Sequence, residues 1–302
     1  MRVFWSSAEG RLRALWRIVI HAVGAAALGI LPVILIAEPL TMLHRRGLFL
    51  PAFSHDGYDR IINMIVGPLL ACALVASVIL AARWFDHRPL CEFGVTLDHL
   101  WWRNLGIGFA IGAALIAFTF GLEYAMGWVR VTGTWSVNAA GVSLPFALSF
   151  SLVKVLCVGT YEEFVSRGYW FRNISDGLNP AAAAIISSAI FAVLHATNEN
   201  SSILSTAGLF INGLLFVSAL WATGRLAAPI GLHIAWNLFQ GAVFGFPVSG
   251  DKEGASIIAI QQYGSAILTG GSFGPEAGIA GILASLIGIV IFAVLRRRER
   301  LR

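Results

Sequence analysis

Leu144-Pro-Phe-Ala-Leu-Ser-Phe-Ser-Leu-Val-Lys-Val-Leu-Cys-Val-Gly-Thr-Tyr-Glu-Glu-Phe-Val-Ser-Arg167 is the stretch that decides the fold. It is apolar for about the 20 residues an α-helix needs to cross a hydrocarbon core of about 30 Å. Yet it holds two adjacent carboxylates, Glu162 and Glu163, with Arg167 one turn beyond. An ionisable side chain near a bilayer centre costs roughly 2.5 to 3.5 kcal/mol even on the milder insertion scales. A membrane helix carrying such a cluster therefore points to a working site.

The rest of the chain agrees with a membrane setting. Of its 302 residues 57% are hydrophobic and only 12% charged, against about 25% charged in an ordinary soluble domain. Runs long enough to span recur at 18–37, 61–82, 105–128, 144–170, 181–196, 203–223, 226–246 and 278–295, the fifth being short. The expected fold is all-α, a polytopic transmembrane helical bundle of about eight spans. No small-residue cleavage site follows the first run, so it reads as a retained helix rather than a signal peptide. The three cysteines, Cys72, Cys91 and Cys157, are scattered and suggest neither a disulfide framework nor a cysteine metal site.

Positive loops tend to stay cytoplasmic. With both termini inside, one side collects Arg2, Arg11, Arg13, Arg17, Arg83, Arg88, Arg103, Arg172, Arg225 and the tail arginines from Arg296 onward. The other side collects only Arg45, Arg46, Arg60, Arg130 and Lys252. Both termini are therefore expected in the cytoplasm. The net charge of +5 is mostly this bias, and no nucleic-acid partner is implied.

Residues 1–143 read as three N-terminal spans and residues 144–302 as a denser five-span core. The connections 38–60 and 83–104 carry no chemical motif, although Trp101-Trp102 suits a membrane interface. The connection from Pro247 to Pro275 is rich in Gly and Ser; its Gly270-Gly271 and Gly274 read as turn-formers. No internal repeat is visible, which withholds support from an inverted-repeat transporter.

Helix geometry separates the two glutamates. Residues four apart share a face, and Glu before Arg is the favourable order, so Glu163 pairs with Arg167 while Glu162 points about 100° away, as 3.6 residues per turn require. The plain alternative is a buried ion-pair network that only fixes packing. Phe191-Ala-Val-Leu-His195 ends the short fifth run, and His233-Ile-Ala-Trp-Asn237 puts a histidine and an asparagine on one face of the seventh. A lone His in such a helix is more often a packed residue. Here a rise of 1.5 Å per residue sets Glu162, His195, His233 and Asn237 at roughly 10 to 22 Å from their helix ends, so they can converge.

Glu162-Glu163-x-x-x-Arg167, Phe191-x-x-x-His195 and His233-x-x-x-Asn237, in that order, resemble the motif set of the CAAX protease and bacteriocin-processing family, the Abi-type intramembrane endopeptidases. The likeness runs from near Leu144 to the last helix. It implies that Glu162 activates a water with help from His195, that His233 and Asn237 hold the oxyanion, and that Glu163 and Arg167 support them. It also implies a membrane-associated peptide or protein substrate, prenylated or bacteriocin-like, and a bacterial inner-membrane location. Cofactor use stays open between none and Zn2+, because Glu162, His195 and His233 also make up the three protein ligands of a catalytic zinc site. Lys154 and Glu123 either line a substrate cavity or snorkel to an interface, and Asn212 reads as interhelical glue. A non-catalytic scaffold or immunity protein and an ion-coupled transporter are the competing classes.

Overall fold

Capping residues decide where the chain turns. Asp98 accepts from the Trp101 N–H to start one helix, Asn179 accepts from Ala182 ahead of Pro180 at the first helical position, and Ser202 and Ser205 form a reciprocal capping box. Gly224, at φ 66°, closes that same last helix in the left-handed region. The computed structural model describes residues 5–6, 10–49, 55–137 and 143–300.

A two-residue ribbon, β1 (Trp5–Ser6) with β2 (Arg11–Leu12), leads into α1 (Ala14–Pro32), which passes through a π turn at Val33–Ala37 into α2 (Glu38–Arg45). Next come α3 (His55–Ala81), α4 (His99–Ala125) and the strand β3 (Val129–Val137). The core follows with α5 (Leu144–Glu163), a π segment (Phe164–Trp170), α6 (Phe171–Gly177), α7 (Pro180–Leu194), α8 (Ile203–Thr223) and α9 (Ala227–Asn237). A second π segment (Leu238–Val243), β4 (Ala255–Gln262), the short α10 (Ala266–Thr269) and α11 (Ile279–Arg300) complete it.

Consecutive rods alternate in direction. Arg17 at the start of α1 meets Asp86 beyond α3 at 2.5 Å, Arg11 lies 3.7 Å from Asp176 in α6, and Arg225 lies 2.6 Å from Asp98. The Arg296 guanidinium sits 5.5 Å from the Trp221 ring centre. The starts of α1, α4 and α9 and the ends of α3, α6, α8 and α11 therefore share one basic end, which puts Arg11 and the Arg296 stretch on the same side.

Each of the eight apolar runs forms a helical rod, but only six are long and apolar enough to cross a membrane: Ala14–Arg45, Ile61–Asp86, His99–Ala125, Leu144–Gly177, Ile203–Thr223 and Ile279–Arg298. The other two rods are set apart by length and by burial. The 15 residues of α7 rise about 22 Å, short of the core thickness. The other exception, α9, has every residue from Ala227 to Trp236 buried, so it lies inside the bundle rather than against lipid.

That enclosed helix is held by glycine. A Cβ on Gly108 would stand 2.0 Å from the Ala228 carbonyl oxygen, one on Gly112 2.6 Å from that of Leu232, and one on Gly231 2.1 Å from that of Leu105. Gly108-x-x-x-Gly112 thus lets α4 and α9 touch backbone to backbone. Gly108→Ala is expected to cost up to about 3 kcal/mol through overpacking. Gly106→Ala, on the same helix with nothing within 4 Å of the new methyl, is expected to be neutral or to stabilise by up to about 1 kcal/mol. Thermal unfolding in detergent checks the contrast.

Two features were hidden in the sequence. Strands β3 and β4 pair antiparallel, Val129 opposite Gln262 and Val137 opposite Ala255, with a register shift between Val131 and Gly133. Both segments read as connections because their partners lie more than a hundred residues apart. In α11 the small residues pack within the chain: Cβ atoms on Gly281 and Gly288 would meet Pro275 and Leu215 at 2.1 and 2.7 Å.

Candidate active site

Glu162 and Glu163 close α5, and the backbone then widens into the π segment, where the Phe171 N–H reaches back five residues to the Ser166 carbonyl. A π turn inside a helix is costly and recurs at functional sites. The widening follows Asn237 as well, at Leu238–Val243, so two of the three motif helices change pitch directly after their polar residues.

Glu163 is fully enclosed. Its Oε1 accepts from Arg167 Nη1 at 3.1 Å and stands 3.0 Å from His233 Nδ1. Arg167, also buried, donates a second bond to the Gly213 carbonyl at 3.2 Å and lies over the rings of Phe191 and Phe216 at 4.3 and 4.9 Å. Gly213 itself fits against Ser188, whose Cβ a new methyl would meet at 2.7 Å. The Glu163–Arg167 pairing expected from spacing is present. Its further contact with His233 was not legible, because it joins helices 70 residues apart.

Glu162 faces the other way. His195 Nε2 and His233 Nε2 each lie 3.9 Å from Glu162 Oε2, and that oxygen is buried with no hydrogen-bond partner. The separations exceed a direct hydrogen bond and match the span of one bridging water. His195 Nδ1 is 2.8 Å from the Phe191 carbonyl oxygen. A carbonyl only accepts, so Nδ1 carries the proton and, in the neutral ring, Nε2 presents its lone pair to Glu162. His233 stacks on Phe216 with ring centres 4.7 Å apart, which fixes its plane.

These residues and Asn237 line one cavity of about 170 Å³, together with Asn198, Asn212, Ser249 and Glu276. Asn212 is thus at the site, with Oδ1 unbonded, rather than only bridging helices. Lys154 lines the cavity too and is held by Asp251 at 2.5 Å and Glu253 at 3.0 Å; Ser151 donates to Glu253 at 2.5 Å. It does not snorkel away, and Glu123, fully buried, does not either. Glu276 accepts from the Ser249 N–H at 2.5 Å and from Gln240, and burial pushes its carboxyl above the usual range. The Val248–Glu253 loop also lines the cavity; its residues open the Gly-rich connection from Pro247 to Pro275, where no helical period marks them. Gly270, Gly271 and Gly274 do adopt positive φ, as turn-formers.

Three donors of zinc-ligand type meet here. A tetrahedral ion with bonds of about 2.0–2.2 Å needs its donors closer together than 3.9 Å, and among the described residues no group of three His, Cys, Asp or Glu side chains is placed to hold a metal.

Residues 144–239 match the family of type II CAAX prenyl endopeptidases, Rce1-like. No curated protein matches the chain. The matched segment runs from the start of α5 past Asn237, and over it this multi-pass membrane protein is similar to the CAAX protease family of membrane endopeptidases.

Proposed function

We propose that the chain hydrolyses a peptide bond of a membrane-associated substrate at Glu162. The observation that carries this reading is the pair of histidine Nε2 atoms, each 3.9 Å from the same unpartnered Glu162 oxygen. A water held between Glu162 and His195 Nε2 gives its proton to the carboxylate as its oxygen attacks the scissile carbonyl. The developing oxyanion is met by Asn237 and by His233. Glu163 Oε1, 3.0 Å from His233 Nδ1, holds the ring in place for that role. Glu162 then returns the proton to the leaving amine. Every step runs through the chain's own side chains; zinc, if bound by Glu162, His195 and His233, would supply Lewis-acid activation of the same water.

A second cavity, about 410 Å³, opens between α3 and α5 and shares Lys154, Val158, Asp251 and Glu253 with the first. Its walls include Met64, Pro68, Leu70, Phe150 and Val153. Asp59, Asn63, Lys154, Asp251 and Glu253 line it too, and a groove that joins such an apolar face to the polar cavity suits a substrate with a lipid-like or hydrophobic arm, prenylated or bacteriocin-like. In proteoliposomes, a farnesylated peptide is expected to be cleaved at least about tenfold faster than its unmodified twin, as remote binding energy is used at the reacting centre. Equal rates would remove the lipid arm from the proposal and leave the hydrolysis standing.

Stringent chelation of the purified protein is expected to leave turnover intact. Loss of activity that zinc alone restores would make Glu162, His195 and His233 metal ligands instead.

A further inference from the structure

The basic end of the bundle holds its charges in two different ways. Arg11, Arg17, Arg88, Arg172 and Arg225 are matched by Asp86, Asp98, Asp176 and Glu92. Arg296 and Arg297, at the end of α11, have no ion pair among the described residues. They stand at the mouth of a groove of about 480 Å³ between α7, α8 and α11, whose walls include Leu214, Val217, Trp221 and Phe292.

We propose that this groove binds an anionic phospholipid, with the acyl chain along Leu214, Val217 and Phe292 and the phosphate between Arg296 and Arg297. Three observations point to that occupant. The walls are apolar over about 10 Å, the rise from Leu214 to Trp221, and no polar group there awaits a peptide or a soluble ligand apart from Ser218, whose hydroxyl bonds its own helix at Leu215. The Arg296 guanidinium lies over the Trp221 ring, a stacking that leaves its edge N–H groups free for phosphate oxygens. Trp221 is near the end of α8, at the depth where tryptophans meet headgroups, and arginines beside a helix groove complement a negative headgroup. The Glu162 cavity meets α8 at Leu209, Asn212 and Phe216, whereas the groove is lined by Leu214, Val217, Ser218 and Trp221; the two share no lining residue, so this site stands apart from the hydrolytic one.

The test uses full-length protein in phosphatidylcholine vesicles and compares spin-labelled phosphatidylglycerol with spin-labelled phosphatidylcholine for the immobilised fraction. The wild type is expected to select phosphatidylglycerol. Arg296→Gln and Arg297→Gln should each lower that selectivity by about fivefold, the effect of one charge at an anionic surface. Ser218→Trp, which fills the groove while keeping both arginines, should lower it too, and Arg298→Gln should leave it unchanged. No selectivity in the wild type overturns the proposal. So does an equal loss in Arg298→Gln with none in Ser218→Trp, which would mean a diffuse basic surface, and so does full displacement of the lipid by inorganic phosphate, which would mean a site for free anions.

Discussion

Glu162→Gln is expected to lower the rate of peptide cleavage by a factor of about 10² to 10⁴, the contribution of a positioned general base, with the folded protein unchanged. The substitution keeps the shape and removes only the proton acceptor. It costs the fold little, because the Glu162 oxygen that faces the two histidines has no hydrogen-bond partner to lose and a glutamine carbonyl can still accept from the neighbouring Tyr161. A fluorogenic peptide assay in proteoliposomes gives the rate, and thermal unfolding in detergent gives the stability. Parental activity would remove Glu162 from the chemistry. A large drop in melting temperature would make it a structural residue.

The adjacent carboxylate predicts the opposite pattern. Arg167→Ala is expected to destabilise the protein by about 3–5 kcal/mol, because it strands the Glu163 charge in the interior. Neither Glu163 nor Arg167 has side-chain exposure to solvent, and Arg167 also loses its carbonyl bond to Gly213 and its place over Phe191 and Phe216. Arg167→Lys is no rescue, since an ammonium cannot reproduce the guanidinium's spread of donors or its stacking. Arg167→Met combined with Glu163→Gln should recover part of the loss, as replacing a buried ion pair by neutral groups of similar volume often does. A melting curve for Arg167→Ala that overlays the wild type would contradict this account of the network.

The asymmetry of the glutamates was legible because it depends on one helix: four residues separate Glu163 from Arg167, and Glu162 is a third of a turn away. The gathering of His195, His233 and Asn237 was legible as a motif order, although their distances depend on how α5, α7 and α9 pack. What that packing adds is second-neighbour chemistry. The Glu163–His233 contact and the Phe191 carbonyl that fixes the His195 tautomer arise from backbone positions no periodicity describes. The π segments after Glu163 and Asn237 leave no compositional mark, since Phe164–Trp170 looks like ordinary apolar helix. The Val248–Glu253 loop escaped for a further reason: Asp251 and Glu253 look like solvated loop charges until Lys154, far back in α5, reaches them. Composition alone does not set α9 apart from the lipid-facing helices, because burial by protein and burial by lipid select the same residues.

The central claim, that these helices assemble a hydrolytic site around Glu162, is tested most directly in native membranes incubated in isotopically labelled water. Released peptides are compared by mass spectrometry between cells making the wild type and cells making Glu162→Gln. The account predicts a set of peptides whose new carboxyl group carries one labelled oxygen, present with the wild type and missing with the variant. Identical peptide sets from the two would contradict it.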